Sequence, residues 1–203
     1  SSLNKKQKES MDAVVRSCER LRQLIESLLY VNKLQTEKTQ YRFNPLNMKK
    51  IIDDVVSSSY LQIKEKDLSV EKYIDDNLSY ISGDIGYLKQ VLMHLVDNAR
   101  KFTSSGGKIL VYAFEDIDKN DRKYVHIVIR DDGIGIKKDM ISDIFKLFYQ
   151  IDGSMTRKYG GTGLGMYLCE KIIETHGGHI WVESEENKGT DVHIRLPAVQ
   201  NNS

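Results

Sequence analysis

From about Leu3 to Lys38 the chain has no glycine and no proline, and Met11, Val14, Cys18, Leu21, Ile25, Leu28 and Asn32 recur at alternating steps of three and four. That spacing draws an a/d seam along one helix, and Val15, Leu24 and Leu29 widen it into the stripe of a helical bundle. A long helix with so broad an apolar face needs partner helices, from this chain or another. No second helix of that kind follows. The expectation is a partner supplied by a second copy, by sequence outside the chain, or by both.

The chain as a whole has the composition of a soluble globular protein: 203 residues, 40% hydrophobic and 29% charged. A net charge of +1 argues against recruitment of nucleic acid or an anionic membrane by an overall field. No apolar run is long enough to cross a bilayer, and the start Ser1-Ser2-Leu3-Asn4-Lys5 lacks the apolar core of a signal peptide. A start without Met points to a piece of something longer. Cys18 and Cys169 make no disulfide framework, so a reduced, cytoplasmic setting is the simpler reading, with pairing between the two left open.

Tyr41 to Asn47 reads as an extended linker, Pro45 blocking helix and Asn47 placed to cap the next one. Met48 to about Lys66 is an amphipathic helix with Ile51, Ile52, Val55, Val56, Tyr60 and Ile63 on one face. Leu68 to Ile74 alternates like a half-buried strand, and Leu78 to Ile81 reads as a further candidate. Asp84 caps a helix running to Lys101. Lys108 to Phe114 and Tyr124 to Arg130 read as antiparallel strands, Thr162 to Thr175 as a helix ended by Gly177-Gly178, and His179 to Glu183 with Asp191 to Leu196 as a closing hairpin. Helices segregated from a largely antiparallel sheet give an α+β two-layer sandwich preceded by one long bundle-forming helix.

Three constellations carry chemistry. Asn98 and Lys101 share a helix face, with His94 one turn before Asn98. A neutral amide oxygen suits Mg²⁺, which fills its shell with water and phosphate oxygens, and a lysine adds a point charge for phosphates. The same residues also fit a solvated helix end with an Asp97–Lys101 pair. Asp131-Asp132-Gly133-Ile134-Gly135-Ile136 follows an apolar strand; a carboxylate there can accept from the exocyclic amine of adenine, and the glycines admit a flat base, though a simple turn reads the same way. Gly160-Gly161-Thr162-Gly163-Leu164-Gly165 opens a helix, so closely spaced N–H groups and the helix dipole form an anion cradle. It is neither a Walker loop nor a dinucleotide fingerprint. Between the last two, Ile144 to Gln150 holds aromatics that suit either a ligand cover or a core edge, followed by a polar, lid-like stretch from Asp152 to Tyr159.

In this order the motifs resemble those of sensor histidine kinases. Asp84 to Thr103 resembles their N box, Asp131 to Gly135 the first glycine box, Ile144 to Asp152 the phenylalanine box and Gly161 to Gly165 the second glycine box. His176 to Ser184 and Gly189-Thr190 are similar to the closing hairpin. The resemblance implies a Bergerat-type ATP site in residues 48–198, after a 41–47 linker and before a 199–203 tail. Residues 1–40 would be the second helix of the dimerisation and phosphoacceptor hairpin. It implies Asn98 on Mg²⁺, Lys101 on phosphate, and Asp131 on the adenine amine with Thr190 helping through water. Gly133, Gly135 and Ile136 would border the base, and Gly161, Thr162, Gly163, Leu164 and Gly165 would wrap the triphosphate, with Arg157 reaching in from the lid. It also implies a homodimer, a response-regulator receiver domain as partner, and membrane attachment only through upstream segments.

Two departures stand out. His94 replaces the family's usual Asn, and no histidine is followed by an acid and a proline, so this chain should bind ATP without phosphorylating itself. Lys146 for a customary Glu is a minor third. His176 and His179 flank a helix end and read as structural, without a third metal ligand. Two rivals stay open: a degenerate nucleotide-binding regulatory module, and a gyrase- or MutL-type ATPase, which wants a general-base Glu where His94 stands.

Overall fold

In chain order the strands are β1 (Asn44–Leu46), β2 (Ser69–Ile74), β3 (Ile81–Gly83), β4 (Lys108–Ile117), β5 (Lys123–Asp131), β6 (His179–Glu185) and β7 (Gly189–Pro197). The helices are α1 (Met48–Glu65), α2 (Ile85–Phe102) and α3 (Gly165–Thr175), with a 3-10 turn at Lys138–Asp143. This computed structural model describes residues 40–151 and 162–199, together with scattered positions between Asn4 and Ile25. The chain divides into two compact units, residues 1–40 with 144–168, and 41–143 with 169–203.

In the first unit the described positions from Gln7 to Ile25 are helical. A reciprocal cap starts them: the Gln7 N–H donates to Asn4 Oδ1 and the Asn4 N–H to Gln7 Oε1, both at 2.9 Å. The seam residues Met11, Val14, Val15, Leu21 and Ile25 are each more than half exposed. The expected continuation through Leu28 and Asn32 lies outside the described residues.

In the second unit five strands hydrogen-bond in the order β2-β4-β5-β7-β6. Only β2 and β4 run parallel; the other pairs are antiparallel. Strand alternation sends Ile109, Val111, Ala113, Val125, Ile127, Ile129, Ile194 and Leu196 to one buried face. The α1 residues Met48, Ile51, Ile52, Val55, Val56 and Ile63 and the α2 residues Leu88, Val91, Leu92, Leu95, Val96 and Ala99 are the matching helical stripes. The architecture is the expected two-layer α+β sandwich. Tyr60, expected on the α1 stripe, is instead 47% exposed. It sits on the stripe's shoulder, with the Lys64 ammonium 5.7 Å from its ring centroid.

The stretch read as linker contributes a strand: Asn44, Pro45 and Leu46 pair with Gly83, Ser82 and Ile81. A two-stranded ribbon tolerates Pro45 because an edge residue can do without its N–H. Asp84 then caps α2, its Oδ1 accepting from the N–H of Gly86 at 2.9 Å and of Tyr87 at 3.4 Å. At the other end of α2, Lys66 Nζ donates to the carbonyls of Arg100 and Lys101 at 2.7 and 2.8 Å, closing a terminus that needs cationic donors. His176, just past α3, accepts from the Asp84 N–H at Nε2 (3.0 Å), and its Nδ1 lies 2.7 Å from the Ile172 carbonyl. Both ring nitrogens are used to join the end of α3 to the start of α2, a structural role.

Candidate functional site

Asp131 is the last residue of β5, paired with Ile109 on one side and Thr190 on the other. The pleat turns its side chain to the buried face, where it is 7% exposed. Its Oδ1 accepts from the Gly133 N–H at 2.9 Å. Burial pushes the carboxyl up to about 6; the Gly133 N–H opposes this, Asp132 and Asp191 reinforce it, and the Thr190 N–H opposes it more weakly. A carboxylate kept in so unfavourable a place is poised to gain from an added hydrogen-bond donor.

The turn after Asp131 is fastened on both sides. The Ile134 N–H donates to the Phe102 carbonyl at 3.2 Å, which ties the turn to the C-terminal end of α2. A Cβ on Gly133 would stand 2.5 Å from that same carbonyl oxygen, so no larger residue fits there. On the opposite side the Asn187 N–H donates to the Ile134 carbonyl at 2.7 Å, and the Ile136 N–H to Ser184 Oγ at 2.8 Å. Ser184 Oγ also lies 2.9 Å from Thr190 Oγ1 and 2.8 Å from the Gly189 carbonyl. Ser184 thus links Ile136 to Thr190. Sequence reasoning placed Ser184 in the closing hairpin and gave it no role; a lone serine in a strand carries no signal until the register is known.

One residue before Phe102 comes Lys101. Through the Phe102 carbonyl the end of the helix that carries Asn98 and Lys101 is hydrogen-bonded to the turn after Asp131. Within the motif the surface pair forms: Lys101 Nζ lies 2.6 Å from Asp97 Oδ2, and Arg100 holds Asp97 Oδ1 at 2.6 Å. Burial alone would raise the Asp97 carboxyl, but Lys101 and then Arg100 outweigh it and hold it below the usual range. Asn98 Nδ2 lies 3.1 Å from His94 Nε2, one helical turn back. Burial lowers His94 to about 4, helped by Lys101 and opposed by Asp97, so its imidazole is neutral at pH 7. The part-buried amide, with the Lys101 and Arg100 cations beside it held on Asp97, fits Mg²⁺ bound through a nucleotide: one hard neutral oxygen from the protein, the remainder from phosphates and water. Among the described residues no cluster of three His, Cys, Asp or Glu side chains forms a rival metal site.

Thr162, Gly163, Leu164 and Gly165 belong to the other unit. Gly163 has φ of +69°, and a Cβ there would come within 2.6 Å of the Phe148 carbonyl carbon, so the glycine is required twice over. Thr162 Oγ1 accepts from the Leu164 N–H at 3.3 Å, and the Leu164 carbonyl accepts from Leu168, starting α3. Leu164 is buried, whereas Phe148, the candidate ligand cover, is 56% exposed. Arg157 and Gly161 lie outside the described residues.

A cleft of about 510 Å³ shares Asp131, Ser184 and Gly189 with this set, and its lining extends over Lys108, Leu110, Arg130 and Asp191. Arg130 there is already paired in two-pronged fashion with Asp191. No described helix is long and apolar enough to cross a membrane.

Residues 83–200 match the family described as histidine kinase-, DNA gyrase B-, and HSP90-like ATPase. The chain is 36% identical over 196 residues to a methyl sulfide methyltransferase-associated sensor of Methanosarcina acetivorans, covering 97% of this chain and 19% of that protein. It is 31% identical to the sensor histidine kinase WalK of Bacillus subtilis, covering 88% of this chain and 29% of WalK. The chain therefore spans less than a third of these relatives. Among solved structures, the nucleotide-free catalytic domain of histidine kinase ThkA is 30% identical with a TM-score of 0.65, covering 77% of this chain and 96% of that one. Full-length ShkA in complex with AMPPNP shares the fold at a TM-score of 0.79 and 24% identity, covering 98% of this chain and 41% of that one. ThkA in complex with the response regulator TrrA does so at 0.74 and 24%, covering 100% and 55%. With the buried carboxylate, the glycine turn and the amide-bearing helix end assembled as described, this chain belongs to the histidine kinase-, DNA gyrase B- and HSP90-like ATPase family, and its relatives include sensor histidine kinases.

Proposed function

We propose that the chain is the ATP-binding catalytic region of a cytoplasmic, dimeric sensor histidine kinase. It donates the γ-phosphoryl of ATP to a histidine on a dimerisation helix, for relay to an aspartate of a response-regulator receiver domain. The observation that carries this reading is the buried Asp131, raised to about 6, at the head of a glycine turn bonded to the helix end that bears Asn98 and Lys101. Asp131 accepts from the adenine amine, Thr190 assists, and Gly133, Gly135 and Ile136 border the base. Asn98 ligates Mg²⁺, which neutralises phosphate charge when bound. Lys101 exchanges Asp97 for phosphate, and Arg157 with residues 161–165 holds the triphosphate. The acceptor imidazole displaces ADP in line, the bridging oxygen leaving with the bonding pair. The protein contributes position and charge.

Nucleotide affinity should depend on pH through Asp131. The carboxyl is half protonated near pH 6 in the free protein, and binding needs it ionised. Wild-type affinity should hold above pH 7 and fall about tenfold by pH 5 beyond any change shared with Asp131→Asn. Asp131→Asn should bind weakly at pH 7 with a reduced preference for adenine over guanine nucleotides. Titrations at several pH values check this; parallel profiles for the two proteins would remove Asp131 from the adenine contact.

A second reading, a nucleotide-holding module without transfer, is favoured by Lys101 lying on Asp97. Labelled ATP supplied together with a separate acceptor-bearing helix hairpin discriminates. Label on the hairpin supports the kinase, and nucleotide binding without label supports the module.

A further inference from the structure

An asparagine amide has two ends of nearly the same shape and opposite chemistry. Oδ1 can ligate Mg²⁺ and Nδ2 cannot, and a half-turn about the last side-chain bond exchanges them at little steric cost. Something must choose. Asn98 Nδ2 is 3.1 Å from His94 Nε2, and the i, i+4 spacing on α2 keeps the two side chains stacked on one helix face.

We propose that His94 is a positioning residue: its Nε2 accepts from the Asn98 amide and so fixes Oδ1 as the end presented to the metal of a bound nucleotide. This rests on the nucleotide-binding reading above and adds to it a function for the residue that departs from the family pattern. The geometry needs the His94 proton on Nδ1. With the proton on Nε2, the imidazole would bond Oδ1 and turn the amide's wrong end outward. An Asn at position 94 carries an acceptor oxygen on a shorter stem, so the departure replaces one acceptor by another. The imidazole itself need not touch the metal, because support of a ligand from behind is enough to change metal affinity about tenfold or more.

Two side chains separate this role from mere space-filling. Gln places an amide end close to where His94 Nε2 stands and can accept; Leu fills the space and cannot. Calorimetry with AMPPNP, in Mg²⁺ and in chelator, gives the Mg²⁺-dependent gain in affinity for wild type, His94→Gln and His94→Leu, each also in an Asn98→Ala background. His94→Leu should lower the gain about tenfold, His94→Gln should keep it within about twofold, and His94→Leu should cost nothing further once Asn98 is gone. Nitrogen-15 NMR of the nucleotide-free wild type should find His94 protonated at Nδ1, a readout that no variant's folding can spoil. An unaltered gain in His94→Leu, equal losses in the Gln and Leu variants, a Leu cost that survives Asn98→Ala, or a protonated Nε2 would each overturn the proposal. A wild type that takes up no AMPPNP even in Mg²⁺ would overturn the nucleotide-binding reading as well, whereas normal wild-type binding with no Mg²⁺-dependent gain, or a normal gain with an indifferent His94→Leu, overturns this inference alone.

Discussion

Asn98→Ala should reduce the affinity for Mg²⁺-nucleotide about a hundredfold and leave binding in chelator within about twofold of wild type. The asymmetry is the point. Asn98 is the hard neutral oxygen proposed to hold the metal, so its loss removes the metal's contribution and spares the contacts to the base. The fold should be little affected, because Asn98 is only part-buried and alanine is the stronger helix former. The thermal midpoint should therefore stay within a few degrees. Calorimetric titration with and without Mg²⁺ gives both quantities, and an unchanged affinity in Mg²⁺ would withdraw Asn98 from the metal.

The second large effect falls on the fold. Gly189 opens β7 with φ of +103°, a region closed to side chains. A Cβ there would run into the Asp131 carbonyl oxygen and stand 2.9 Å from the Asp132 Cα. Both obstacles are backbone, at the last residue of β5 and the residue after it, so neither can rotate away. Gly189→Ala should cost about 3 kcal/mol or more and lower the thermal midpoint by about 10 °C. Any folded remainder should bind adenine nucleotide poorly, because Asp131 must shift. Gly106→Ala is the control: it carries the same kind of penalty, φ of +82°, with no atom within 4 Å of the added Cβ. It should cost about 1 kcal/mol. Equal losses at the two positions would show that overlap with the Asp131 strand contributes nothing.

Much of the framework was legible because its signals are local. Asp84 reads as a cap since an aspartate before a helical stripe satisfies orphan N–H groups within three residues. The β2 strand read from its alternation, which needs no knowledge of a partner. The strand at Asn44–Leu46 was missed for the complementary reason. Its pairing with Ile81–Gly83 is a contract between segments more than thirty residues apart, and Pro45 gave the opposite local signal. His176 could be judged structural from its glycine neighbours, but its bond to the Asp84 N–H exists only once α3 and α2 are packed.

The candidate site divides along the same line. Residue chemistry and order named Asn98, Lys101, Asp131, Gly133 and Gly135, because an amide, an ammonium, a carboxylate and bare glycine backbone are what a magnesium triphosphate and an adenine require; Thr190 came only with the resemblance to sensor histidine kinases. Only the tertiary structure decided that Asp131 faces inward with its carboxyl raised to about 6, that Ser184 ties Ile136 to Thr190, and that Lys101 rests on Asp97. Side-chain chemistry belongs to each residue wherever the chain goes, whereas burial and hydrogen-bond partnership depend on which distant segments the sheet register and helix packing bring alongside.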